Sequence, residues 1–398
     1  MHCNFRQKPL YRLFIWIGAA VCFVLLVWIG MDIVTSQNWL MGDDYVEYWA
    51  AGQLNLSGGN PYNPNQLSPL QLSTGKNFAV PVMMYNPPWL LILAMPFGSL
   101  DYPLSRTLWL ILFVCIIFYC SDTLWRIYGG SQRGRYLSWL IGFTFIPVLE
   151  ALKTGQASPL TLLGVTGFLL FQNRNKDFWA GIFISFLIVK PHLLYIVGLA
   201  VLVWSIQRKR WMILLGIITS LFVGTFISWI INPSVINQYF FAIQNYPPYD
   251  WATPTIGGIL RLIFGQEYVW LQLIAPILGV IWFVSYWWKK NQSWNWLNET
   301  PLLILVSVFT AAFGWSSDQI VSLVAIIQIG VLVLAYQWNR YTVLITIVYL
   351  LIERLILLVL GNALMLWWLA PSLLIWYIWA SRILKNPQSY NLQSIQNK

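Results

Sequence analysis

Apolar runs the length of a membrane crossing alternate along the chain with short polar or basic stretches. Leu108–Ser121, Trp211–Ser234 and Pro301–Ser317 hold no charged residue. About 30 Å of hydrocarbon needs roughly 20 apolar residues in a helix. The pattern therefore predicts an all-α polytopic membrane protein with about 12 transmembrane helices (10–13, because some pairs are closely spaced). The spans fall near 13–33, 103–125, 136–152, 157–172, 177–189, 192–207, 211–231, 267–288, 300–315, 319–338, 341–358 and 362–383. The first run, Phe14–Met31, has a basic flank like a signal peptide's, but no Ala–x–Ala pattern follows it. It reads as an uncleaved helix.

Residues 34–102 break the pattern. They hold Asp43, Asp44 and Glu47 with many Gly, Asn and Pro, and form a large first outer loop. Within it, Tyr45–Asn55 reads as an amphipathic helix with Tyr45, Tyr48 and Trp49 on one side. Pro87–Phe97 is apolar but too short to cross, and reads as an interfacial or re-entrant helix. The whole chain, 1–398, reads as one integral membrane domain.

Composition sharpens this picture. The 398 residues are 58% hydrophobic and 9% charged, against roughly 25% charged in a soluble domain. An ordinary cytosolic enzyme and a disordered chain are both excluded. The net charge of +10 does not indicate nucleic acid, because Lys and Arg sit in short clusters between apolar runs. Such clusters mark cytoplasmic loops and place both termini inside. Of the 23 Lys and Arg, only Lys76, Arg106, Lys153, Lys190, Arg261 and Arg354 then lie on the outer side. If Pro87–Phe97 crossed, most later basic clusters would face outward. Four Cys without a Cys–x–x–Cys, and only two His, give no reason to expect a disulfide or zinc.

Where charges are scarce, clusters of polar residues stand out. Gly42–Asp43–Asp44–Tyr45–Val46–Glu47–Tyr48 sets three carboxylates in five positions. Crowding and burial raise carboxylate pKa values, and one ionised member within reach of a hydroxyl can act as a general base. Equally, Asp43 or Asp44 could simply cap the helix that Tyr45 opens. The Gly58–Pro64 stretch with Tyr62 reads as a turn, and Tyr85–Asn86–Pro87–Pro88 as a rigid start to the interfacial segment. Gly155–Gln156–Ala157–Ser158–Pro159, with Lys153 before it, and Lys190–Pro191–His192 lie at helix junctions. A Lys beside a helix N-terminus suits a phosphate, although Lys190 could instead snorkel to the interface. In Trp315–Ser316–Ser317–Asp318–Gln319, Asp318 could cap a helix or bind sugar hydroxyls, and Trp315 offers a flat face for a sugar.

In this order, these pieces resemble the bacterial family 87 glycosyltransferases. The pattern runs Asp44–Tyr45–x–x–Tyr48–x–Ala50–Ala51, Leu54, Gly58, Pro61–Tyr62, Tyr85–x–Pro87–Pro88, Gly155–Gln156, Lys190–Pro191 and Trp315–Ser316–Ser317–Asp318–Gln319. The resemblance covers roughly residues 10–380 and is most specific from Asp44 to Tyr62. It implies a GT-C fold in a bacterial plasma membrane with the active site on the extracytoplasmic side. It also implies a polyprenyl-phosphate-linked sugar donor, such as polyprenyl-phosphate-mannose, and a glycolipid or glycan acceptor. Carried over, Asp44 is the general base with Asp43 in reserve. Lys190, with Lys153 or His192, neutralises the donor phosphate. Tyr48, Tyr62, Tyr85, Gln156, Trp315, Asp318 and Gln319 contact substrate. No metal or cofactor is expected, because Asp43–Asp44 is not a spaced carboxylate motif and such donors lack a diphosphate. The competing reading is a lipid-linked sugar flippase or transporter. It would string charges along a mid-membrane path and show related halves, and neither feature is evident.

Overall fold

The computed structural model describes residues 44–75, 78–247, 251, 253–335 and 363–384, with isolated positions 21, 344, 348 and 352. The expected spans at 13–33 and 341–358, and Asp43, lie outside the described residues. Among those described, every regular element is a helix. Four helices are long and apolar enough to cross a membrane, or five if one bent pair counts as a single span. The four are Tyr102–Ile127, Trp211–Ile231, Val269–Ser293 and Ser316–Ala335.

In chain order the helices are α1 (Tyr45–Leu56), α2 (Pro64–Ser73), α3 (Leu91–Gly98), α4 (Tyr102–Ile127), α5 (Arg135–Thr144), α6 (Ile146–Thr154), α7 (Pro159–Asn173), α8 (Asp177–Ile184), α9 (Tyr195–Gln207), α10 (Trp211–Ile231), α11 (Val235–Asn245), α12 (Ile256–Phe264), α13 (Ile274–Lys290), α14 (Trp296–Phe309), α15 (Leu323–Ala335) and α16 (Leu369–Leu384). Short 3₁₀ turns precede α3 and follow α8, and a longer one, Ser316–Ser322, leads into α15.

Three expectations change in the structure. The span expected at 136–152 is broken into α5 and α6, which meet at 58°. Phe145 is extended (ψ 124°) and Pro147 sits in the first turn of α6. A proline there would clash with the carbonyl one turn earlier if the helix ran on. The segments expected at 157–172, 177–189, 192–207 and 300–315 are helical but only 10–17 residues long. Finally, α1 is not amphipathic. Ten of its 12 residues are buried, Glu47 and Asn55 among them.

Glycines explain how α1 becomes so enclosed. A β-carbon on Gly52 would strike the Ala94 carbonyl, and one on Gly98 would strike the Gln53 amide. The backbones of α1 and α3 therefore touch directly. On the other side of the 3₁₀ turn Pro88–Leu90, Gly224 of α10 lies against Trp89. The Pro87–Phe97 segment is thus wedged between α1 and α10, and Leu90, Leu91 and Ala94 are nearly inaccessible. Helix α4 begins sharply, because the Asp101 side chain accepts from the Leu104 amide at 3.2 Å and Pro103 follows. Its buried face carries Ser105, Arg106 and Trp109 toward α1.

Candidate active site

Four separated stretches of chain converge beside the start of α1. Asp44 occupies the N-cap position, yet its side chain caps nothing. Its carboxylate instead lies in hydrogen-bonding reach of the Gln156 and Thr154 side chains. One turn on, Glu47 is buried and interacts with the Tyr48 phenol. Tyr48 stacks on Trp109 at 5.5 Å and donates to Gln156 Oε1 at 3.3 Å.

Gln156 is placed by the residue before it. Gly155 ends α6 in the left-handed region (φ 75°), which glycine adopts most readily. A β-carbon there would also meet Tyr45 and the Arg106 guanidinium. Arg106 Nη2 donates to the Leu152 and Lys153 carbonyls at 2.8 and 2.9 Å, and its guanidinium lies over the Tyr45 ring. Trp109 Nε1 donates to the Gly155 carbonyl at 2.9 Å. The end of α6 is therefore pinned to α4 and α1. Gln156 Oε1 also accepts from Lys190 Nζ at 2.7 Å. With Oε1 so engaged, the amide NH₂ is left to donate to Asp44.

Lys190 follows the 3₁₀ turn Ser185–Val189 and is buried. It forms an ion pair with Asp318, whose Oδ1 also accepts from Ser158 Oγ at 2.6 Å. Asp318 Oδ2 accepts from the Trp315 amide at 2.9 Å. Capping and pairing are thus combined in this one carboxylate. Ser316 adds a bond to Glu150 at 3.0 Å.

Burial pushes the Asp44 carboxyl above the usual carboxylate range. Gln156, Lys190 and Thr154 pull it back, and Asp318 adds to the rise. Glu47 is pushed further, to about 8, by burial first and the neighbouring Asp44 second. The two carboxyls, one helical turn apart, are shifted in the same direction. Near neutral pH Glu47 keeps its proton, and Asp44 has the ammonium and amide that favour its ionised form.

The other expected site residues are distributed unevenly. His192 lies within electrostatic range of Asp318 and Lys190, with its ring 6.2 Å from that of Phe313. Tyr85 is within range of Glu47, and its hydroxyl donates to the Tyr246 carbonyl at 2.9 Å. Trp315 and Gln319 line a cavity of about 370 Å³ walled by Leu193, Pro254, Ile256, Ile259 and Val308 among others. The structure does not bring Lys153 or Tyr62 to the cluster. Lys153 is exposed, and the buried Tyr62 donates to the Asn86 carbonyl at 3.1 Å. Glu47 and Ser158 fall within motifs that the sequence marks, whereas no such motif holds Thr154 or Arg106, which also border the cluster. For Glu47 the i, i+3 spacing from Asp44 was the available signal. Among the described residues no group of three or more His, Cys, Asp or Glu side chains could hold a metal ion.

Comparison with protein families matches residues 84–313 to glycosyltransferase family 87. The chain belongs to glycosyltransferase family 87. It is a membrane glycosyltransferase, acting on a sugar donor and an acceptor. The matched segment contains Tyr85, Gln156, Lys190 and His192, and it starts after Asp44 and ends before Asp318. Searches of curated proteins and of solved structures returned no match.

Proposed function

We propose that this family 87 glycosyltransferase moves a hexose, mannose being the best fit to the resemblance, from a polyprenyl-phosphate donor. The acceptor is a glycolipid or glycan at the extracytoplasmic face, and the anomeric centre is inverted. The observation that carries the reading is the Asp44 carboxylate, half-buried without a capping role and faced by Gln156 and Lys190.

The chemistry follows from those groups. An acceptor hydroxyl attacks the anomeric carbon as the bond to the phosphate oxygen breaks. Asp44 takes the hydroxyl proton, and the polyprenyl phosphate leaves with the electron pair. The leaving group is already anionic, so one carboxylate suffices where a glycosidase needs two. Lys190 supplies positive charge as the phosphate charge develops. Gln156 holds Asp44 and Lys190 in register through its two ends. The apolar cavity beside Trp315 and Gln319 provides a dry wall for the lipid end of the donor.

Purified protein given radiolabelled polyprenyl-phosphate-mannose and a glycolipid acceptor is expected to form labelled product. Asp44→Asn should lower turnover by about 10²–10⁴-fold, with its thermal unfolding unchanged. Near-normal turnover in Asp44→Asn would move the base elsewhere. Lipid flipping without sugar transfer would overturn the reading.

A further inference from the structure

Beside the polar cluster stands a row of aromatic rings contributed by four distant parts of the chain. Tyr85 meets Trp251 at 5.1 Å, Trp251 meets Phe313 at 6.4 Å, and Phe313 meets His192 at 6.2 Å, each pair edge to face. Unlike the rings around Trp109, this row is not interred. Trp251 is 37% exposed, and the other three are partly exposed. Both ends of the row border the candidate active site. Tyr85 lies within electrostatic range of Glu47 at one end, and His192 lies within range of Lys190 and Asp318 at the other.

The occupant of such a wall needs two properties. It needs flat C–H surface to cover aromatic faces, and hydroxyls to meet the carboxylates alongside. An alkyl chain has only the first property. It is better served by the cavity beyond Trp315, whose lining is almost entirely apolar. A pyranose has both, because its axial C–H groups gather on one face while its hydroxyls project around the rim. We propose that Tyr85, Trp251, Phe313 and His192 form a sugar-binding wall in which a pyranose ring stacks on Trp251 and is bordered by the other three rings. This goes beyond the transferase reading in naming the subsite, and rests on that reading only for which substrate carries the sugar.

The test has one arm that needs no turnover. In saturation-transfer NMR on the full chain in nanodiscs, methyl α-mannoside should receive signal chiefly at the ring protons of one face. The signal should be lost in Trp251→Ala and kept in Trp251→Phe. No transfer to the wild type, or equal transfer to all three proteins, would overturn the wall. The second arm is kinetic. Trp251→Ala should raise one KM about tenfold, with kcat nearly unchanged and Trp251→Phe restoring it. A rise confined to the glycolipid acceptor assigns the wall to the acceptor sugar, and a rise confined to the polyprenyl-phosphate donor assigns it to the donor sugar. If neither KM moves, the wall has no part in substrate binding. If the wild type binds the glycoside but transfers nothing, the transferase reading fails while the wall stands.

Discussion

Helices α10 and α15 are almost equally apolar, yet they live in different surroundings. Trp211–Ile231 has a mean hydropathy of 2.2 and is only 22% buried within the protein. The span Ser316–Ala335, which contains α15, has a mean hydropathy of 2.1 and is 67% buried. Hydropathy marks both as membrane-capable but does not say which is packed by protein and which presents Ile218, Phe222 and Ile230 outward. The difference lies in the minority residues. Ser316–Ala335 carries Ser316, Asp318, Gln319, Ser322 and Gln328, all buried. Polar groups at membrane depth are costly unless protein surrounds and satisfies them, so the candidate site lies on the packed side.

Four sets of changes would break or sharpen that contrast. The largest effect is expected at Lys190. Replacing it by Met leaves Asp318 buried without its cation and should destabilise the protein by about 3–5 kcal/mol. Adding Asp318→Asn should recover most of the loss in thermal unfolding without recovering activity. If the single variant unfolds like the wild type, the ion pair contributes nothing to the packed side.

Glu47 gives a pH-dependent counterpart. Its folded carboxyl holds a proton up to about 8, whereas the unfolded one releases it near 4.5. The folded state binds more protons between those values, so this group makes stability fall as pH rises through the window. Glu47→Gln should match the wild type below pH 4.5 and exceed it increasingly toward pH 8, by up to a few kcal/mol (about 1.4 kcal/mol per pKa unit). Parallel unfolding curves for the two proteins across that range would contradict this assignment.

Glycines offer a third, smaller contrast. Gly52→Ala should cost about 1–3 kcal/mol, because the added methyl meets the Ala94 backbone. Gly198→Ala in α9 meets nothing within 4 Å and should stabilise by about 0.5–1 kcal/mol. Equal melting shifts would mean that the α1–α3 contact yields easily. The smallest effect is expected on the outward face of α10, where Phe222→Leu should change stability by less than about 0.5 kcal/mol.

Much of this arrangement is legible in the chain, and its failures are physical. Hydropathy places α10 at 211–231, where the structure has it, because an uninterrupted apolar run leaves little choice of ends. It misses the break at Phe145, since a single proline outweighs the apolar run around it. It also misreads α1, whose enclosure depends on α3 and not on its own periodicity. At the candidate site, Lys153 and Lys190 look alike in sequence, each beside a helix junction. Only packing separates them. Arg106 takes the carbonyls at the end of α6 while the Lys153 side chain stays exposed, and Lys190 turns inward to Gln156 and Asp318. Asp318 lies 128 positions from Lys190, so no local pattern reveals their pairing.

Gly155 has a consequence for how this chain can drift over generations. Gly58 and Gly129 share its left-handed backbone but have open space around them, so Asn is an acceptable replacement at either. At 155 the same backbone is hemmed in by Tyr45 and Arg106, and the alphabet shrinks to one letter. A lineage that lost this glycine would have to remake α1 and α4 together to keep Gln156 beside Asp44.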